Sequence, residues 1–129
     1  MHLTATPASL TVDRIAAGQL TRNAAPGGPK FPAIAYSFVV VKSGDVVICH
    51  DLAVRCWHSA GPGRNDRYVG VAFVGYEPNA AQLRGIRAAF QRVEAEIGRG
   101  LQVIEGHRDG VATQCPGKSW PTWRDSILP

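Results

Sequence analysis

The sequence has little of what marks several classes of protein. It contains three cysteines and one methionine in 129 residues, and no apolar run is long enough to cross a membrane. The first residues, MHLTATP, have neither the basic region nor the apolar region of a secretory signal. We find no internal repeat, low-complexity tract or linker. These absences argue against membrane-spanning, disulfide-rich and multidomain proteins. They predict a single domain over residues 1–129 that is cytoplasmic as synthesised.

The charge of the chain is positive but shows no pattern along the sequence. Fourteen Lys and Arg residues against 10 Asp and Glu residues give a net charge of +4 and a pI near 9.3. A basic surface favours an anionic partner such as nucleic acid, an acidic membrane surface or an anionic cell wall. Because the basic residues are scattered and form no basic arm, we do not expect nucleic acid to be the partner.

Strand-forming residues occur in three places. Aromatic and β-branched residues predict a strand over residues 33–41, which pairs through a tight turn at 43–45 with a strand at 46–49. An apolar run predicts a strand covered on both faces at 69–75. A further short strand is predicted at 101–104, directly before a glycine-rich loop.

Three segments have helical patterns. The first begins near Thr6-Pro7 and ends near Leu20, and the longest is capped by Asn79 and ends at Gly98. Residues 119–128 predict a brief helix with Trp123 and Ile127 facing inward. Strands mixed with helices in this order predict an α/β fold, a mixed central β-sheet flanked by helices on both faces.

The loop EGHRDGVATQCPG, residues 105–117, carries residue types suited to chemistry. It sets the imidazole of His107 and the thiol of Cys115 eight positions apart, between glycines that let both side chains turn toward one point. A thiolate together with an imidazole is a ligand combination that zinc prefers. Two ligands do not complete a site, and His2 at the other end of the chain is the best candidate for the third.

Four segments in the same order resemble the amidase-2 superfamily. That superfamily includes N-acetylmuramoyl-L-alanine amidases, phage amidase-type lysozymes and peptidoglycan recognition proteins. The segments cover nearly the whole chain: His2-Leu3-Thr4-Ala5, Ala35-Tyr36-Ser37-Phe38-Val39-Val40, Trp57-His58-Ser59-Ala60-Gly61 with Asn65 and residues 69–75, and finally Gly-His-Arg-Asp with Thr-Gln-Cys-Pro-Gly.

The resemblance implies one zinc ion held by His2, His107 and Cys115. It also implies that the hydroxyl of Tyr36 donates to the developing oxyanion or to the attacking water. Thr113 falls where relatives have lysine or threonine, and would act as an uncharged donor that orients the water.

The resemblance further implies a substrate groove lined by Trp57, His58 and Asn65. Some cytosolic amidases carry a glutamate base in the strand matching residues 69–75, but the corresponding position here is Ala72. We therefore expect the tyrosine-dependent branch of the superfamily.

The position of His2 leaves two questions open. In the superfamily a strand precedes this histidine, and the sequence holds no residues for it, so either the chain begins inside the domain or another segment replaces the strand. A terminal histidine also frays unless the metal holds it, so an unordered His2 is the alternative.

The other two cysteines allow two interpretations. Cys49 and Cys56 are either buried free thiols, which we favour, or a pair that closes a short loop with little gain in stability. Their neighbours His50 and His58 suggest a second metal site, but the spacing matches no standard zinc ligand set.

The resemblance implies zinc-dependent hydrolysis of the amide between the lactyl group of muramic acid and L-alanine. The small size is typical of a phage or prophage lysin, which acts on the cell wall after release. Two alternatives stay open: a peptidoglycan-binding module without turnover, and a cysteine hydrolase with Cys115 as nucleophile and His107 as base. The sequence does not determine the oligomeric state.

Overall fold

A computed structural model describes residues 1–24, 26–60 and 62–128. Its centre is one mixed sheet with the strand order β1-β4-β2-β3. The strands are β1 (His2–Leu3), β2 (Phe38–Val40), β3 (Val46–Ile48) and β4 (Val71–Phe73). Both β1 and β2 run parallel to β4, whereas β3 is antiparallel to β2. The predicted mixed sheet is therefore confirmed.

Four α-helices and two 3₁₀ helices accompany the sheet in the described residues. The α-helices are α1 (Val12–Leu20), α2 (Arg64–Arg67), α3 (Ala80–Ile97) and α4 (Trp120–Trp123). The 3₁₀ helices cover His107–Asp109 and Arg124–Ile127. None of the helices in the described part of the chain has the length and apolarity needed to span a membrane.

Side chains of β2 and β4 alternate between two apolar clusters, as successive residues of a strand point to opposite faces. Val39 and Val74 pack with Ile15 of α1 on one face. The opposite face packs against α3 and the C-terminal helices, in a larger cluster that includes Phe38, Val40, Phe73, Ile86, Phe90, Trp120, Trp123 and Ile127. Helices therefore cover both faces, and the inward orientation predicted for the C-terminal helix is confirmed.

The ends of α3 follow the sequence signals. The side chain of Asn79 accepts a hydrogen bond from the backbone N–H of Gln82 at 2.8 Å, and the Gln82 side chain accepts one from the backbone N–H of Asn79 at 3.1 Å. Gly98 ends the helix with φ of 69°, in the left-handed region that favours glycine. The predicted bounds of this helix are confirmed.

Three predicted strands are shorter in the structure, the second of them by only one residue, and one predicted strand is wrong. Residues 33–37 lie outside β2, and the backbone N–H of Ala35 bonds to the Gln19 side chain at 2.8 Å rather than to a neighbouring strand. Residues 69–75 form β4 only at 71–73. Residues 101–104 form no strand, and the backbone N–H of Leu101 bonds instead to the Glu94 side chain of α3 at 2.9 Å.

The first helix also begins later than predicted. Leu10 bonds back to Pro7 in a turn, and the Thr11 hydroxyl then caps α1 by accepting from the backbone N–H of Arg14 at 3.4 Å. The structure places helix only from Val12 because the chain uses these local bonds first.

The first residues of the chain are held in the sheet. His2 pairs with Ala72 and Leu3 with Phe73, and the backbone N–H of Thr4 bonds to the Phe73 carbonyl at 3.0 Å. The sequence pointed to a missing first strand, and in the structure His2 and Leu3 themselves form a two-residue strand at the sheet edge. His2 is 4% exposed, so it is ordered and buried rather than frayed.

Candidate metal centre

Three side chains from distant parts of the chain meet at the edge of the sheet. His2 projects from β1, His107 begins the first 3₁₀ helix, and Cys115 lies in the loop that follows. Each of the three residues offers one ligand atom, and these atoms lie within 4.8 Å of one another. Among the described residues, these three form the group that could hold a metal ion. The structure thus brings together the three residues that the sequence pointed to.

The spacing of these atoms suits a zinc ion. A tetrahedral ion with Zn–S near 2.3 Å and Zn–N near 2.05 Å places sulfur and nitrogen about 3.6 Å apart. The Sγ atom of Cys115 lies 3.8 Å from the Nδ1 atom of His2. The buried Nε2 atom of His107 has no hydrogen-bond partner in the described residues. A bound metal ion or a water molecule would provide the missing partner for this nitrogen.

Backbone contacts hold Cys115 in place. Its Sγ accepts a hydrogen bond from the backbone N–H of Leu3 at 3.2 Å, next to His2. Its own backbone N–H donates to the Thr113 hydroxyl at 3.3 Å, and its carbonyl accepts from the backbone N–H of Arg108 at 2.7 Å. The loop therefore sets the position of the sulfur before any metal binds.

Burial controls the protonation of the ligands. It raises the pKa of Cys115, an effect that the Leu3 N–H partly offsets, and it lowers the pKa of both His2 and His107. Neutral imidazoles offer a free lone pair, and metal coordination deprotonates a thiol outright. The metal-free centre is therefore uncharged near neutral pH, and a divalent ion would supply its charge.

Asp109 supports His107 rather than acting on a substrate. One oxygen of its carboxylate accepts from the backbone N–H of Gly106 at 2.7 Å and from the Trp120 indole at 2.9 Å. The backbone N–H of His107 bonds to the Met1 carbonyl at 2.9 Å. These contacts give Asp109 a structural role.

Tyr36 lies beside the three ligands. Its ring centroid is 5.3 Å from that of His2. Burial, reinforced by the nearby Cys115, raises the pKa of Tyr36 to about 12, while a hydrogen bond from the Gln19 side chain acts in the opposite direction. The phenol is therefore protonated at neutral pH and able to donate a hydrogen bond.

An open groove of about 1020 Å³ runs over the centre. Tyr36, Thr113 and the three ligands lie in it, between loops that precede β2 and follow β4. Two aromatic side chains border it with exposed surface: Trp57 is 37% exposed and Tyr76 is 61% exposed. The groove can take an extended, partly apolar molecule that lies across His2, His107 and Cys115.

The three residues predicted to contact substrate have different surroundings. Trp57 faces the groove, but the amide of Asn65 bonds to the backbone of Ser59, accepting at 2.9 Å and donating at 2.8 Å. Both ring nitrogens of His58 are also engaged within the protein. Gly61, part of the same sequence segment, lies outside the described residues.

Two groove residues could not be found from the sequence. Gln19 reaches the groove from the last turn of α1, and Tyr76 from the loop after β4. In the sequence, Gln19 is an ordinary polar position of an amphipathic helix. An exposed tyrosine after a strand is likewise ordinary. Neither carries a local signal, because each acquires its position only through packing.

The cysteines outside the centre are free thiols, as predicted. Cys49 is half-buried and Cys56 is buried, with the Cys56 sulfur 3.4 Å from the Ser37 hydroxyl. The Nε2 atom of His50 lies 2.8 Å from the Ile34 carbonyl. In the residues that the structure covers, no second metal group forms around them.

The mixed sheet has helices on both faces and a candidate metal centre at its edge. This combination defines an α/β protein of the amidase type. The family model described as N-acetylmuramoyl-L-alanine amidase matches residues 1–118, and the chain belongs to this family. No curated protein matches the chain significantly.

Solved structures show the same fold. N-acetylmuramoyl-L-alanine amidase LysC from Clostridium intestinale has a TM-score of 0.76 and 21% identity, covering 99% of this chain and 83% of that chain. The Ph2119 endolysin of a Thermus scotoductus bacteriophage has a TM-score of 0.74 and 20% identity, covering 99% and 82%. Human PGRP-IBETAC, solved with glycosamyl muramyl pentapeptide, has a TM-score of 0.71 and 24% identity, covering 95% and 79%.

Proposed function

We propose that the protein is a zinc-dependent amidase that hydrolyses the bond between the lactyl group of N-acetylmuramic acid and L-alanine in peptidoglycan. The observation that carries the proposal is the convergence of His2, His107 and Cys115 within 4.8 Å of one another. Membership of the N-acetylmuramoyl-L-alanine amidase family supports the substrate class.

In this proposal His2, His107 and Cys115 hold one zinc ion. With three protein ligands and an open position, zinc lowers the pKa of a bound water to about 7 and polarises a carbonyl group. Two neutral imidazoles and one thiolate would leave about one net positive charge on the zinc-loaded site, which would favour negative charge developing on the scissile carbonyl.

Two side chains of the protein would donate hydrogen bonds near the reacting carbonyl. Tyr36, protonated because burial raises its pKa to about 12, donates a hydrogen bond to the oxyanion that forms on the scissile carbonyl. The Thr113 hydroxyl oxygen accepts from the Cys115 backbone N–H, which leaves its O–H available to orient the attacking water. Ala72 supplies no carboxylate base in β4, which supports the tyrosine-dependent route.

The groove fits a peptide–sugar chain such as a muropeptide. Trp57 and Tyr76 offer exposed aromatic faces on which sugar rings or peptide side chains stack. The net charge of +4 favours association with an anionic cell wall. The muramyl pentapeptide held by human PGRP-IBETAC, a protein of the same fold, supports a muropeptide ligand here.

We also propose that residues 1–129 work as one amidase-2-like domain in a lysin. The protein would be made in the cytoplasm and reach the cell wall after release. Similarity to the Ph2119 endolysin supports this role.

Two features argue against Cys115 as a nucleophile. Burial raises the pKa of its thiol, which disfavours the reactive thiolate. No hydrogen bond joins it to His107, whose Nε2 is without a partner in the described residues. A base in contact with the nucleophile is the signature of a cysteine hydrolase.

The test is mass spectrometry of purified peptidoglycan incubated with the protein, with and without a zinc chelator. We expect stem peptides that begin at L-alanine, lost on chelation and restored by zinc. Cys115→Ala should abolish release, whereas the matched control Cys49→Ala should release peptides as the wild type does. Intact wall bound in both arms would instead indicate a binding module, and cleavage indifferent to chelation would contradict the zinc mechanism.

A further inference from the structure

His58 is buried directly behind His2, on the side away from Cys115. Its Nδ1 lies 3.2 Å from the Nε2 of His2, and the two rings meet edge to face with an interplanar angle of 74°. Its Nε2 lies 2.9 Å from the Tyr68 carbonyl oxygen. His58 is only 8% exposed, so these two contacts use both of its polar atoms.

The carbonyl fixes the positions of the protons along this chain of contacts. A carbonyl oxygen only accepts, so the Nε2 of His58 carries the proton and donates to Tyr68. In a neutral imidazole the other nitrogen, Nδ1, is then an acceptor, which requires that the Nε2 of His2 donates to it. The Nδ1 of His2 is left with a lone pair, and this is the atom that lies 3.8 Å from the Cys115 sulfur.

Gly70 makes room for the His58 ring. A Cβ atom at position 70 would lie 2.8 Å from Cγ and 2.9 Å from Cδ2 of His58, closer than real Cβ contacts come. The ring therefore packs against the backbone that leads into β4, the strand that pairs with β1. The position of His58 is set by the sheet that also carries His2.

We propose that His58 is a positioning residue that holds His2 in its Nε2-protonated form and aims its Nδ1 lone pair at the metal centre. The inference rests on the proposed zinc function and changes the role of His58 from substrate contact to support of a ligand. A histidine ligand whose second nitrogen donates to a fixed acceptor is oriented in advance, and removal of such a partner weakens metal binding by about 10–100-fold.

The first test needs no substitution. Long-range ¹H–¹⁵N NMR spectra of the zinc-loaded wild-type protein distinguish protonated from unprotonated ring nitrogens. We expect His2 and His58 both to carry their proton on Nε2. A proton on Nδ1 of either ring would overturn the proposal.

The second test measures the zinc dissociation constant by competition with a chromophoric chelator. His58→Phe keeps the ring volume without an acceptor, whereas His58→Asn keeps an oxygen near the former Nδ1. We expect His58→Phe to weaken zinc binding by about 10–100-fold and His58→Asn to recover most of the loss. His50→Phe is the matched control, because it removes a ring nitrogen bonded to the Ile34 carbonyl and His50 is not among the described residues that line the groove.

The outcomes separate this inference from the proposed function. A wild-type protein that binds no zinc would overturn the function itself. A wild-type protein that binds zinc, with the same affinity in His58→Phe, would overturn only the role of His58, as would a raised KM with unchanged zinc affinity. If His58→Phe does not fold, as judged by circular dichroism, the NMR result on the wild-type protein decides.

Discussion

Residues at the candidate metal centre contact partners that are far away in sequence. Cys115 and His2 are 113 positions apart, and the backbone N–H next to His2 donates to the same sulfur. One desolvated pocket therefore acts on all of these groups together. It keeps the imidazoles neutral and the Tyr36 phenol protonated, which is the state each group needs to bind a cation or to donate a hydrogen bond.

Tyr36→Phe tests the donor role of the phenol. Because the substitution removes one hydrogen-bond donor and keeps the ring against His2, we expect kcat for peptidoglycan hydrolysis to fall by about 10²–10³-fold. Zinc affinity should stay unchanged, since the ring packing is retained. Steady-state kinetics on a soluble muropeptide, with zinc content measured in parallel, would check both expectations.

Tyr68→Phe is the control for that experiment. It removes the hydroxyl of Tyr68 and leaves the backbone in place. The Tyr68 ring packs against the guanidinium of Arg64, whose Cζ lies 4.7 Å from the ring centroid. Equal activity of Tyr36→Phe and wild type would show that the Tyr36 hydroxyl plays no part in the reaction.

At the scale of elements, α3 packs unusually close to the β2–β3 hairpin. A Cβ atom at Gly85 would lie 2.2 Å from the Gly44 carbonyl oxygen and 2.6 Å from Val40 Cγ1. The helix can approach the sheet this closely only because residue 85 has no side chain. This close packing fixes α3 against Val40 of β2 and against the turn that joins β2 to β3.

Gly85→Ala should destabilise the protein even though alanine favours helix. Overpacking at this contact costs about 1–3 kcal/mol of unfolding free energy, more than the gain of about 1 kcal/mol in helix propensity. Gly18→Ala in α1 is the matched control, because a Cβ there meets nothing within 4 Å. It should stabilise the protein by up to about 1 kcal/mol.

Urea unfolding of the two glycine variants would measure both changes. Stabilisation by Gly85→Ala would show that α3 can move away from the hairpin at little cost. Destabilisation of similar size by both substitutions would contradict the packing explanation.

For the molecule as a whole, the buried histidines couple the centre to global stability. Burial is the leading cause of the lowered pKa of His2, His58 and His107. When the pH falls below about 6.5, the usual histidine pKa, these groups bind protons in the unfolded chain before they do so in the folded one. The unfolded state then binds more protons, so stability falls with pH.

We expect the metal-free protein to lose stability between pH 7.5 and 5. Each of the three histidines contributes at most about 1.4 kcal/mol per pH unit in this window. Thermal unfolding in the presence of a chelator, at several pH values above the range where carboxylates titrate, measures the effect. A melting temperature that stays constant from pH 7.5 to 5 would show that the histidines titrate normally in the folded protein.

Much of the fold follows from local signals. Asn79, the apolar stripe behind it and Gly98 define α3, and the alternation in β2 places its side chains on two faces. The same holds for the ligand residues, because His2, His107 and Cys115 have side chains suited to zinc and lie in segments that resemble a known family. These features are predictable because each depends on a residue and its near neighbours in sequence.

The prediction of a strand at residues 101–104 was wrong because a side chain from the preceding helix takes a backbone hydrogen bond. Residues 101–104 have the composition of a strand, but the side chain of Glu94 takes the backbone N–H of Leu101. Asn65 lines the groove as predicted for a substrate contact, and its amide is fixed by the backbone of Ser59. Which partner a polar atom finds is not encoded in its own segment.

The sequence by itself determined which residues have side chains suited to a metal, where the main helix begins and ends, and the family to which the chain belongs. Only the tertiary structure decided that His58 supports His2, that Gln19 reaches Tyr36, and that Leu3 donates to Cys115. The physical reason is that residue type and spacing specify chemistry and local conformation. Desolvation and hydrogen-bond geometry instead arise from segments that come together only when the chain folds.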